Sequence, residues 1–86
     1  MPRSNKTLKD HSNLLLTFGE NLKKIRQEKG LSLRKMATLC NLDDSNISKI
    51  ENGKFNIQLS MSTIFELAKG LNIKPKELLD FSEIEK

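Results

Sequence analysis

Hydrophobic residues recur along this chain with a helical period. Phe18, Leu22 and Ile25 stand four and three apart, so at 100° per residue they share one stripe of a helix. Met36, Ala37 and Cys40 repeat the pattern over a shorter span, followed by Ile47 and Ile50. Met61, Ile64, Phe65, Leu67 and Ala68 form a fourth cluster, and Leu78, Leu79 and Phe81 a fifth. Nothing alternates as a half-buried strand would.

The residues between these stripes act as punctuation. Thr17-Phe18-Gly19-Glu20 has the spacing of a capping box and is predicted to open the first helix, with Leu14-Leu15-Leu16 adding at most one earlier turn. Gly30 closes that helix. Ser32 caps a short second helix, and Asn41, which tolerates the left-handed conformation, ends it. Asp43 is expected to cap the third helix by bonding its free N–H groups, and Gly53 stops it. After a connector at residues 54–60, Ser60 opens a fourth helix that exits near Asn72. Pro75 then takes the first position of a fifth, where its missing N–H is harmless. Residues 1–13 show no period and read as a flexible basic arm; residues 14–81 form the domain and 82–86 a tail. The prediction is an all-α, compact five-helix fold.

Composition narrows the function. Eighty-six residues suffice for one small core, and without Trp or Tyr that core is aliphatic. One Cys and one His leave almost nothing for a metal set or a nucleophile–base pair, and no Gly-rich phosphate loop is present, so neither enzyme, metal nor cofactor is expected. His11 is read as a solvated arm residue and Cys40 as a packed thiol. No apolar run is long enough to span a bilayer and no signal peptide is visible, so a reducing cytoplasm is the default. Residues 1–54 sum to +5 and residues 55–86 to −1. One basic end and one slightly acidic end suit a domain that presents one face to a polyanion.

From Ser32 to Gly53, the pattern of Ala37, Asn41, Leu42, Ile47 and Ile50 resembles the helix-turn-helix of the phage-repressor, or Xre/Cro-like, family. The flanks IRQEKGLS, IENGK and TIFELAKGLNIKPKELLDF agree, so the likeness covers roughly residues 18–81. It implies a lambda-repressor-like domain whose helices 2 and 3 form the motif. Three departures stand out. Leu33 replaces a customary Gln that helps clamp phosphate, Asn41 replaces a customary Gly, and the connector looks about two residues long by the echo of Leu59-Ser60 in Met61-Ser62.

Such a motif inserts one helix into the major groove of double-stranded DNA while its partner helix braces on the backbone. With Ile47 and Ile50 inward, Ser45, Ser48, Lys49 and Asn52 lie opposite, and Asp44 stands at the leading tip. The resemblance makes Asp44, Ser45 and Lys49 base readers, and Ser48 shares their face. Lys suits guanine, Ser donates or accepts, and Asp accepts from cytosine N4. An acid at the tip serves discrimination, because residues 43–52 sum to −2 and affinity must come from phosphate contacts elsewhere. Arg34, Lys35, Asn46, Asn52, Lys54 and Asn56 are read as those contacts, with Arg3, Lys6 and Lys9 of the arm as a further candidate set. Arg34 and Lys35 oppose the dipole of their own helix, by about 0.3–1 kcal/mol each when exposed, which a phosphate at that helix end would offset.

By the same resemblance Arg26 pairs with Glu51, a structural link that sets the angle of the reading helix. A single domain reads too few base pairs for a genome, so a homodimer on a palindrome is expected, with Leu79, Phe81 and Ile84 as its apolar interface. The chief alternative is an antitoxin-like module that masks a partner toxin and binds DNA secondarily, favoured by Leu33, Leu39 and Phe55 at positions usually polar in the family.

Overall fold

The computed structural model describes residues 2–53 and 60–82, with side chains from Leu14 onward. Five helices occur in the order α1 (Pro2–Glu28), α2 (Leu33–Cys40), α3 (Asp44–Glu51), α4 (Met61–Leu71) and α5 (Pro75–Leu78), and the described residues contain no strand.

The largest departure from the sequence reading is at the start. The backbone is helical from Pro2, so the segment read as an irregular arm continues α1 and Thr17 lies well inside it. The expected capping box at Thr17–Glu20 therefore does not form. Capping chemistry signals a start only where the chain before it leaves the helix, and here it does not.

The other boundaries follow from local chemistry. Ser32 Oγ accepts from the Lys35 amide at 3.0 Å and Ser60 Oγ from the Thr63 amide at 3.1 Å, satisfying N–H groups that the first helical turn leaves free. Asn41 and Asn72 close α2 and α4 in the left-handed conformation, with φ of 56° and 59°. Pro75 leads α5, and the Lys74 amide donates to Glu77 Oε2 at 3.1 Å. Asp43 sits at the N-cap of α3 with φ −77° and ψ 141°, yet its side chain makes no capping hydrogen bond, contrary to expectation.

The helices close around Phe18, Leu22, Met36, Cys40, Ile47, Ile50, Ile64, Leu67, Leu71 and Leu78, all buried. Helix α1 packs on α3 and α5, α2 on α3 and α4, and α4 on α5. Gly19 makes the first of these contacts possible: a Cβ there would stand 2.7 Å from the Glu51 carbonyl oxygen, so α1 crosses directly over the end of α3. Asn21, fully buried, donates from Nδ2 to the carbonyls of Glu77 at 3.0 Å and Leu78 at 2.9 Å. That link ties α1 to the exit of α5 and adds a side-chain donor to carbonyls at the end of that helix. Met61 and Phe65 on α4 remain exposed although their stripe is apolar.

Candidate nucleic-acid interface

The turn between α2 and α3 builds the motif. Asn41 in its left-handed conformation reverses the chain, and the Leu42 amide donates to the Ala37 carbonyl at 3.0 Å. Ala37 and Cys40 from α2, with Ile47 and Ile50 from α3, are buried at the crossing, and Leu42 packs against the same cluster. Ala37 and Cys40 are small enough for the two axes to approach. Helix α3 is left with Ile47, Ile50 and Glu51 inward and Asp44, Ser45, Lys49 and Asn52 exposed. Ser48 and Asn46 are half-buried at its two shoulders.

Arg26 and Glu51 are brought together. Arg26 Nε donates to Glu51 Oε2 at 2.6 Å and Nη2 to Oε1 at 3.1 Å, while Nη1 donates to the Leu31 carbonyl at 2.8 Å. The guanidinium thus joins α1, the loop before α2 and the last turn of α3. Glu51 is thereby withdrawn from any ligand-facing role, and one of the three acids near the reading face is neutralised internally.

An open cavity of about 390 Å³ occupies the elbow, lined by Arg34 and Thr38 of α2, Asn41 and Leu42 of the turn, and Asp43 and Asp44. Arg34, Lys35, Asp43, Asp44 and Lys49 are all exposed, and none of them forms an ion pair with another described residue. One lip of the elbow is therefore cationic and the other anionic. The Arg34 and Lys35 side chains stand at the first turn of α2, where a cation opposes the helix dipole and where an external anion would be attracted.

The remaining candidates divide. Asn52 bends back along α3 and donates from Nδ2 to the Ser48 carbonyl at 2.8 Å, so this donor is engaged within its own helix. Lys54, Asn56 and Phe55 lie outside the described residues, as do Ile84 and the side chains of Arg3, Lys6, Lys9 and His11. Leu79 is 54% exposed, whereas Phe81 packs partly against the core and is correspondingly less available to a partner. Of the apolar residues noted at polar positions, Leu33 also packs against the core and Leu39 stays exposed. Asn21 and its two carbonyl partners carried no signal in the sequence, because an isolated Asn between apolar positions looks like a surface residue.

Chemistry of other kinds finds little purchase. Cys40 is buried, and burial followed by the charge of Glu66 pushes its thiol from 9.0 up to about 11, which makes it a poor nucleophile. Among the described residues no group of three or more His, Cys, Asp or Glu gathers as a metal site. No described helix is long and apolar enough to cross a membrane.

Comparison with known proteins agrees with this geometry. A family model described as helix-turn-helix matches residues 22–78. The control protein C.BamHI of Bacillus amyloliquefaciens is 39% identical over 74 residues, 85% of this chain and 89% of its own. The control protein C.MunI of a Mycoplasma species is 41% identical over 76 residues, covering 87% and 97% of the two chains. The crystal structure of the restriction–modification controller C.AhdI from Aeromonas hydrophila superposes with a TM-score of 0.69 at 41% identity, over 74% of this chain and 94% of that one.

Proposed function

The chain belongs to the Xre/Cro-like helix-turn-helix family of DNA-binding transcriptional regulators, and from that premise we propose that it controls transcription of a restriction–modification system. In this reading it binds an inverted-repeat operator as a homodimer, works in the cytoplasm and carries no enzymatic activity. The observation that carries the reading is the orientation of α3. Ile47 and Ile50 are sealed in the core while Asp44, Ser45 and Lys49 project from the opposite side, braced by the Arg26–Glu51 link.

The division of labour follows from charge. Lys49 donates to guanine, Ser45 and Ser48 supply hydroxyls, and Asp44 accepts from a cytosine amino group. Arg34 and Lys35 contribute phosphate contacts from the first turn of α2, with Asn46 at the shoulder of α3 and Lys54, Asn56 and the basic arm beyond the described side chains. Leu79 and its neighbours at the exit of α5 supply the dimer contact, on the side of the domain that bears the acidic half of the sequence. A palindromic operator would then mirror the two-fold axis of the dimer.

Selection of bound sites from a random DNA pool tests the proposal. The expected product is an inverted repeat bound by two chains, with log affinity falling against log salt at a slope of about −0.9 per phosphate contacted. A monomer on selected DNA by sedimentation would remove the dimer, and absence of any salt-sensitive association would remove DNA binding.

A second reading, in which the chain masks a partner protein, draws on the exposure of Leu39, Met61 and Phe65 at 47%, 60% and 51%. Stoichiometric co-purification with one protein that then blocks DNA binding would favour it.

A further inference from the structure

Serine is an ambiguous reader of DNA, since its hydroxyl both donates and accepts. The structure bears on that ambiguity at Ser48. One turn further along α3, Asn52 folds its amide back, placing Nδ2 2.8 Å from the Ser48 carbonyl oxygen and 3.4 Å from Ser48 Oγ. A carbonyl can only accept, so the amide is oriented with its nitrogen toward Ser48 and its oxygen away. The shorter contact is to the carbonyl and the longer one to Oγ. Ser48 Oγ therefore accepts from Asn52, and no other described residue bonds it.

We infer that Asn52 is a positioning residue that sets the polarity of Ser48, making it a donor to an acceptor on a base edge and a selector against cytosine at the base it faces. An oxygen that already accepts one hydrogen bond is a stronger donor, and the nearby amide hydrogen repels a second donor approaching the same oxygen. In the major groove guanine offers N7 and O6, adenine N7 and thymine O4, whereas cytosine offers only its N4 amino donor. Cytosine is thus the one base without a partner for a donating hydroxyl. Half-buried at the shoulder of α3, Ser48 is held while Lys49, its neighbour, is exposed.

The inference complements the acid at the tip of the helix. Asp44 can only accept and so favours the amino group that Ser48 is set to refuse. Two hydrogen-bonding groups one turn apart on α3 would then demand opposite polarity from two steps of the same groove. Asn52 acts through Ser48 and need not touch DNA. The inference rests on the reading that the outward face of α3 lies in the major groove.

The test measures the full chain and its Asn52→Ala and Ser48→Ala variants against selected operators carrying each of the four bases at every position. The wild type is expected to disfavour cytosine at one position by about three- to tenfold, the range of a single hydrogen bond. Asn52→Ala should lower that penalty toward the level of Ser48→Ala, with the preferences due to Asp44 and Lys49 unchanged. Melting curves verify that both variants are folded; each replaced side chain is outside the core. An unchanged cytosine penalty in Asn52→Ala overturns the inference, and so does Ser48→Ala weakening all sequences equally, the mark of a phosphate contact. Failure of the wild type to select any sequence removes the underlying DNA reading instead, and is seen before either variant is made.

Discussion

Arg26 meets Glu51 through two hydrogen bonds, 2.6 Å and 3.1 Å, with side chains only 11% and 4% exposed. Both charges are out of water, and each depends on the other. Removing Glu51 strands a buried guanidinium, while removing Arg26 strands a carboxylate. Glu51→Ala is therefore expected to cost about 3–5 kcal/mol in chemical denaturation, with DNA binding falling only in proportion to the folded fraction. An apolar replacement of both partners should cost less than either single change. A Glu51→Ala protein with unaltered melting temperature would show that the pair does not brace α3.

Gly19 lies where α1 crosses the end of α3. Adding a methyl group there brings carbon to 2.7 Å from the Glu51 carbonyl oxygen, and neither backbone can yield without moving a helix. Gly19→Ala should destabilise by about 1–3 kcal/mol, although alanine is the better helix former. Thermal unfolding monitored by circular dichroism reads the sign directly: a stabilised variant contradicts the packing.

Lys49 and Asp44 should separate by their effects on selected DNA. Lys49→Ala is expected to lose about 1–3 kcal/mol of discrimination at one guanine if it reads a base. Equal weakening on all sequences, with a shallower salt slope, would reassign it to phosphate. Asp44→Ala should broaden preference at its step while affinity holds or rises, since a negative charge near the phosphates has been removed. Affinity falling without a change in preference would count against a reading role.

Cys40 links the core to alkaline stability. The folded state holds its thiol at about 11 against 9.0 in the open chain, so folding favours the protonated form. That contribution is complete below pH 9 and is lost as pH climbs from 9 through 11. Its size is on the order of 3 kcal/mol. Subtracting the pH profile of Cys40→Ala from that of the wild type should expose this loss. The native thiol should resist a disulfide reagent until the protein unfolds, and rapid reaction in the native state would show the site to be open.

The same contrast between local chemistry and packing runs through the fold. Stripes at Phe18 and Leu22, at Met36 and Cys40, and at Ile47 and Ile50 announced their helices and their buried faces, because apolar periodicity is a property of the chain itself. Ser32, Ser60, Asn41 and Pro75 marked boundaries for the same local reason. The start of α1 was not legible, since the signal at Thr17 does not end a helix that already runs into it. Asp43 has the right residue type at the right place and still makes no capping bond. Asn21 was overlooked and Phe65 misplaced because periodicity does not tell which sides of a helix the neighbours cover.

By itself, then, the order of residues determined an all-helical chain, the two helices of the motif and the identity of the side chains they turn outward. Only the assembled tertiary structure decided that α1 runs on before Thr17, that Asn21 is locked to the end of α5, and that Asn52 turns back on Ser48. Helical period and capping depend on residues a few places apart, whereas these contacts depend on side-chain direction and on helix approach. Those are set by the whole core at once.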